Sequence, residues 1–279
     1  MPKELTRIQR IERSIIKTYR DSLWQPFIDA VSRYELLSEG DRVAVCISGG
    51  KDSMLMAKLM QEVARHGKVA FENVFLVMDP GYNEENRARI LENASILEIP
   101  LTVLPSNIFS VAYSQEWGSP CYLCAKMRRG FLYSHAKELG CNKIALGHQF
   151  DDVIETTVMS MFYSSQLRAM LPKLRSDNFE GMELIRPLYK IHEKDIIRWC
   201  NYNDLHFIRC ACRFTENIEN SEDGIGASKR REIKELIRRL KKETPDLDQS
   251  IFNSIHSVCL DTMPGWKTGG VRHSFLENY

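Results

Sequence analysis

Between Val43 and Leu55 the stretch VAVCISGGKDSML sets Ser48, Gly49, Gly50, Lys51, Asp52 and Ser53 directly after an apolar, strand-like run. Followed by a helix, such a loop is built to hold an anion. Glycines let backbone amides approach closely, the helix N-terminus adds partial positive charge, and the lysine adds a full one. A GxxxxGK[ST] loop needs a spacer between its glycines and a hydroxyl after its lysine. Here the glycines are adjacent and Asp52 follows Lys51, so this is not a Walker A site. A second group, Gly147, His148, Asp151 and Asp152 in ALGHQFDDVIE, falls between a strand and a helix, in the crevice where open α/β sheets bind ligands. Adjacent carboxylates beside a nucleotide suit Mg2+ or the positioning of a reacting group. The alternative is that Asp151 and Asp152 cap their helix. A third group is Cys121 and Cys124 in SPCYLCAKMRRG, at the start of a helix whose dipole, with Lys126, Arg128 and Arg129, favours thiolates. A CxxC alone fits a redox dithiol, half of a zinc site or part of an iron-sulfur site. Cys210 and Cys212 in IRCACRF are candidates for further ligands. Their one-residue spacing is too tight for a usual zinc knuckle, and three thiolates with one open position are easier to picture.

These groups need a scaffold. After Gly40 strand-like and helix-like stretches alternate: strands at 42–47, 74–78, 101–104, 143–146 and 184–188, with helices at 52–65, 84–97, 124–139 and 151–162 between them. Such alternation implies right-handed crossovers and a doubly wound α/β fold, a parallel sheet covered on both faces. Residues 1–38 read as an N-terminal basic helical segment, 39–215 as the domain carrying the loop and the cysteines, and 216–279 as a small helical C-terminal extension. The segment around PGWKTGG looks irregular. The chain has 279 residues, 43% apolar and 27% charged, with a net charge of +1, values of an ordinary globular protein. Neither a long apolar span nor a basic-then-apolar leader is evident, so a soluble cytoplasmic protein without a membrane segment is expected. Its eight cysteines are then better read as metal, redox or core residues than as disulfides, with Cys46 and Cys141 inside apolar runs. Lys229, Arg230, Arg231, Lys234, Arg238, Arg239, Lys241 and Lys242 form a basic helix that either tracks phosphates or is a solvated face paired with Glu232 and Glu235.

The run S-G-G-K-D-S resembles in full the SGGxDS signature of the PP-loop ATP pyrophosphatases, in which the loop grips the terminal pyrophosphate of ATP and the substrate is adenylated. Together with P-C-x-x-C followed by R-R-G, then G-H-x-x-D-D, MFY and IRPL in that order, residues 20–215 resemble the TtcA-type tRNA 2-thiocytidine synthetases. The resemblance implies a [4Fe-4S] cluster on three cysteines, ATP with Mg2+, a tRNA substrate, and replacement of the C2 oxygen of an anticodon-loop cytidine by sulfur. It implies Cys121 and Cys124 as the first two ligands and Cys210, or alternatively Cys212, as the third. It implies an ATP site of Ser48, Gly49, Gly50, Lys51, Asp52, Ser53, Met78, Gly147, His148 and Asp152. Arg128 and Asp152 match positions that catalyse in related thiouridine-forming enzymes, with Asp151 and Lys51 beside them. A sulfide or persulfide donor and a homodimer are further family expectations. The chain departs from the family in carrying Gln149 and Phe150 where a more basic pair is usual, and CACRFTEN where C-x-x-C-G is common. Rival readings are a PP-loop enzyme thiolating another nucleoside such as uridine, an amidotransferase or lysidine-type ligase that leaves the CxxC unexplained, and a nucleotide or redox sensor without turnover.

Overall fold

The computed structural model describes residues 4–106, 108, 120–208 and 225–279. Its described strands β1 (Arg42–Ile47), β2 (Glu72–Asp79), β3 (Leu101–Pro105), β4 (Lys143–Ala145), β5 (Lys173–Arg175) and β6 (Glu183–Ile185) form one sheet in the order β3-β2-β1-β4-β6-β5. All neighbours pair in parallel except β5, which runs antiparallel to β6 at the edge. The doubly wound α/β expectation is met, with β5 as an unexpected addition. Three residues of KLR carry too little alternation to announce a strand, and they pair only because the chain doubles back onto β6.

β1 shows why the sheet is covered on both faces: five of its six residues are buried in succession, as in parallel strands sandwiched by helices. Alternate side chains go to opposite cores. Val43, Val45, Ile47, Phe75, Val77, Ala145 and Ile185 join one core, whereas Ala44, Cys46, Leu76, Ile144 and Leu184 join the other. The last expected strand is shorter than 184–188, because Pro187 lacks the amide to extend the ladder.

The helices preceding and crossing between strands are α1 (Arg7–Arg13), α2 (Gln25–Arg33), α3 (Lys51–His66), α4 (Glu84–Ile96), α5 (Pro120–Glu138), α6 (Phe150–Ser164) and α7 (Glu193–Tyr202). The N-terminal segment is not one helix: after α1 the chain widens into π-helical turns at Ser14–Thr18 and Arg20–Trp24 before α2. Ser14 lies in this widened part. Its hydroxyl donates to the Ile11 carbonyl at 2.6 Å and accepts from Trp199 Nε1 and Asn203 Nδ2, both at 3.1 Å. α4 starts on Asn83, whose side chain accepts from the Asn86 amide at 2.7 Å, with Glu84 and Glu85 in the first turn.

The chain divides into two compact units, Met1–Asp152 with Met170–Gly224, and Val153–Ala169 with Ile225–Tyr279. The second holds α8 (Ile225–Leu240), α9 (Leu247–Ser254) and an antiparallel hairpin of β7 (Gly265–Thr268) and β8 (Val271–Ser274). The segment expected to be irregular therefore contains a hairpin. Its two-residue turn, Gly269-Gly270, has φ of 56° and 83°, the positive pair that tight hairpin turns need. Among the described residues no helix is long and apolar enough to cross a membrane.

Candidate functional site

In the sheet order, chain connections leave β1 toward β2 on one side and arrive at β4 on the other. The C-terminal ends of β1 and β4 thus face a topological switch point, where open α/β sheets hold ligands. A cavity of about 380 Å³ lies there in the first unit. Of the sequence-predicted residues, Ser48, Asp52, Ser53, Met78, Arg128, Gly147 and His148 line it.

The loop after β1 is held by its own hydroxyls. Ser53 Oγ donates to the Gly50 carbonyl at 2.9 Å and accepts from the Ser48 amide at 3.1 Å, and Ser48 Oγ lies 3.2 Å from it. Gly49 has φ of 86°, and a Cβ there would sit 2.5 Å from Ile90 Cγ1 and 2.7 Å from Ile208 Cδ1. Only glycine fits. Gly50 is the N-cap of α3, in extended conformation and with no side chain to occupy the helix end. Gly147 closes the opposite wall: a Cβ on it would be 3.1 Å from the Ser53 amide nitrogen, so backbone packs on backbone.

Charge at the loop is arranged differently from the sequence-based expectation. Lys51 does not line the cavity; its Nζ lies 3.1 Å from Asp52 Oδ2 and 3.1 Å from Glu193 Oε1. Burial pulls this ammonium toward neutrality, but the two carboxylates outweigh it and hold its pKa above the ordinary lysine value. Burial pushes the Asp52 carboxyl up, with Lys51 opposing and the charges of Asp152 and Glu193 adding. Its second oxygen, Oδ1, is buried and accepts no hydrogen bond from any described residue.

Asp151 and Asp152 both cap. Gln149 Oε1 accepts from the Asp151 amide at 2.6 Å, and Asp152 Oδ2 accepts from the Gln149 amide at 3.1 Å, a reciprocal closure of the start of α6. Asp151 Oδ2 accepts from the Glu193 amide at 2.8 Å and so caps α7 as well. Gln149, noted in the sequence as a departure, is the residue that makes this cap.

Several cavity residues lie outside the site expected from the sequence. Cys46 is among them, its thiol pushed up to about 12 by burial and held as an inert, small apolar wall. Arg129 and Tyr133 come from the α5 face that also presents Arg128. Arg186, in the IRPL run, does not line the cavity but lies close enough to its Tyr133 and Arg129 to interact with them electrostatically. Burial pulls its guanidinium down to about 10 against the opposing effect of Tyr189 and Tyr133, and its Nε is buried without a hydrogen-bond acceptor. Glu193 was missed as the second partner of Lys51, since nothing local ties residues so far apart.

Cys121 and Cys124 occupy the first two turns of α5, spaced i, i+3 and hence on one helix face, though their side chains lie outside the described part. Cys210 and Cys212 fall outside the described residues altogether. Among the described residues no three His, Cys, Asp or Glu side chains gather as a metal site. In the second unit, part of the basic helix α8 is paired: Lys229 Nζ sits 4.7 Å from the centre of the Tyr163 ring, Arg230 lies 3.7 Å from Glu155 Oε2, and Arg238 bonds Glu235 at 2.7 Å.

Comparison with known proteins agrees with this architecture. Residues 25–217 match the PP-loop domain family. A tRNA-cytidine(32) 2-sulfurtransferase of Vibrio parahaemolyticus is 36% identical over 236 residues, 82% of this chain and 75% of that one. One of Alcanivorax borkumensis is 35% identical over 235 residues, 82% of this chain and 78% of that one. Among solved structures, the U34-tRNA thiolase NcsA from Methanococcus maripaludis with its [4Fe-4S] cluster matches with a TM-score of 0.66 at 20% identity, covering 88% of this chain and 80% of that one. That likeness is one of fold.

Proposed function

The chain belongs to the PP-loop family of tRNA-cytidine 2-sulfurtransferases, and from that premise we propose that it is an ATP-dependent tRNA sulfurtransferase that converts an anticodon-loop cytidine to 2-thiocytidine. The observation that carries this reading is the cavity at the switch point, which Ser48, Asp52 and Ser53 of the SGGKDS loop, Gly147, His148 and Arg128 line together.

A cytosine C2 carbonyl is a weak electrophile with a poor leaving group. In the proposed reaction its oxygen attacks the α-phosphorus of ATP, the bond to the β-phosphate oxygen breaks, and pyrophosphate departs. Hydrosulfide then adds to C2, the bond from C2 to the adenylated oxygen breaks, and AMP leaves with that oxygen. With sulfide as donor no net oxidation or reduction occurs. A persulfide donor would need two further electrons.

The amides of Gly49 to Asp52 at the start of α3, with Lys51, would take up the charge growing on pyrophosphate, an effect strongest where donors are fixed before the reaction. Ser48 and Ser53 hold that loop in shape. Gly147 lets the second wall approach, and Met78 gives an apolar contact beside it. The buried, unpartnered Asp52 Oδ1 fits a cation, and Mg2+ held by one carboxylate and the phosphates is its usual mode. Asp152 and Asp151 would keep the Gly147-His148 wall in place through their caps, and Arg128 would face the reacting base or its phosphate. The donor set suits an iron-sulfur cluster: Cys121 and Cys124 share a helix face on α5, whose later turns line the cavity, and Cys210, or Cys212, would complete three thiolates. When bound, such a cluster supplies an iron with an open position for hydrosulfide.

The test is anaerobic incubation of the iron- and sulfide-loaded protein with ATP, sulfide and an unmodified tRNA transcript bearing cytidine at position 32. Nucleoside mass spectrometry should find 2-thiocytidine, with AMP and pyrophosphate formed one for one. Thiolated uridine alone, or pyrophosphate release indifferent to tRNA, would overturn the reading.

A further inference from the structure

The second unit contains a groove of about 1050 Å³ that the chemistry above does not use. One wall is the β7–β8 hairpin. The other is the segment 165–169, pinned to the end of α6 by one hydroxyl: Ser160 Oγ donates to the Gln166 carbonyl and accepts from the Arg168 amide at 3.0 Å. Leu167 of that segment and Leu260 add exposed apolar side chains to the lining.

Three features of this groove point the same way. Arg168, Lys267 and Arg272 line it, and no described carboxylate does. Trp266 and His273, opposite each other across the hairpin, stack with ring centres 5.4 Å apart and planes 15° from parallel, and His273 Nδ1 is steadied 3.0 Å from Glu277 Oε2. Lys267 and Arg272 are also directly opposed across the strands. Like charges in that register destabilise a hairpin, and a two-stranded hairpin has little stability to spare. The fold therefore gains nothing from this pair, whereas an anion bridging the two cations would relieve it.

We propose that the groove lined by Trp266, His273, Arg168, Lys267 and Arg272 is a single-strand RNA subsite, seating unpaired nucleotides of the tRNA around the hairpin, with a base against the aromatic pair on one face and phosphates on Arg168 and on the Lys267–Arg272 pair, which alternates to the other face. Aromatic platforms interleaved with cations are the recurring means of holding single strands, because every base has a π-face and every linkage a charge. The assignment rests on the tRNA-thiolation reading but concerns a different part of the chain from the nucleotide cavity.

The experiment titrates an end-labelled, unmodified tRNA transcript into the full-length protein at several salt concentrations and reads anisotropy. Trp266→Leu should weaken binding about tenfold. The pair Lys267→Gln with Arg272→Gln removes two phosphate contacts, and the slope of log affinity against log salt should flatten by about 1.4–1.8. That pair also removes the like-charge contact, so its melting temperature should not fall. Arg168→Gln, whose backbone amide rather than guanidinium holds its segment, provides a second variant and should flatten the slope by about 0.7–0.9. Nucleotide binding should be unchanged in all of them. Wild-type affinity and slope in every variant would overturn the groove assignment and leave the thiolation reading standing. A wild-type protein that does not bind tRNA would overturn both.

Discussion

Two lysines on α3, seven positions apart, hold opposite kinds of place. Lys58, at the middle of the helix, is fully buried, and its three ammonium protons meet Glu12 Oε1 at 2.7 Å, Gln61 Oε1 at 3.1 Å and the Leu97 carbonyl at 3.2 Å. Lys51, in the first turn, is 27% exposed and rests against two carboxylates that are themselves partly exposed. A saturated, dry ammonium is part of the framework: it ties α1 to α3 and to the end of α4, and no ligand reaches it. A half-wet ammonium beside glycines can trade its carboxylates for an anion that the neighbouring amides hold at the same time. Sequence type alone does not separate these roles; the surroundings do.

The largest effect should come from the buried lysine. Lys58→Met removes the buried one of the two cations that Glu12 and Glu62 share, leaving them to share Arg65 alone, and a loss of about 3–5 kcal/mol in urea unfolding is expected; a loss under about 1 kcal/mol would break the contrast. Next is Gly49→Ala, which combines a left-handed backbone with a Cβ driven onto Ile90 and Ile208. About 2–4 kcal/mol should be lost, read as a lowered melting temperature. Glu12→Gln tests the buried end through pH. Burial alone would raise the Glu12 carboxyl, but hydrogen bonds and charge from Lys58 and Arg65 outweigh it and hold the carboxyl below the usual glutamate range. A depressed folded pKa means that its contribution is complete above that range and is lost as pH falls through the folded value. The gap between wild type and variant should therefore be about 1.5–3 kcal/mol at neutral pH and close as acid is added, a course that unfolding curves between pH 7 and 3 would trace. The smallest change in stability should follow Lys51→Ala, under about 1 kcal/mol, because its pairs are partly solvated. Its ATP affinity should nonetheless fall at least tenfold in a nucleotide titration. Equal stability losses at the two lysines would erase the distinction.

The parallel sheet and the SGGKDS loop were legible because both are local: runs of apolar residues mark strands, and glycines followed by a lysine mark a loop opening a helix. The cavity's membership was half legible. Ser48, Asp52, Ser53, Met78, Gly147 and His148 follow from strand ends meeting at the switch point. Beside the cavity, the pairing of Glu193 with Lys51 does not follow, since Glu193 reaches the loop only through the packing of α7. The aspartate pair shows the reverse difficulty, for its acidic residues invite a chemical reading while each oxygen with a described bond accepts a helix-start amide. The hairpin at the C-terminal end was signalled by Gly-Gly between short β-prone runs, a cue that a polar segment obscures. The π-helical turns after α1 left no such mark, because Ser14 gains its reason only from Trp199 and Asn203, far away in the chain.

The double grip on Lys51 sets a threshold for what the glycine loop accepts. An incoming anion competes with Asp52 and Glu193, two full charges already seated at 3.1 Å. On the proposed reading, chloride or a lone phosphate would bring too little to win that contest, whereas a triphosphate, with several oxygens converging on amides and ammonium together, would displace both rivals at once. Selectivity for polyphosphate over the salts of the cell would then be written into the incumbents rather than into any contact with the newcomer.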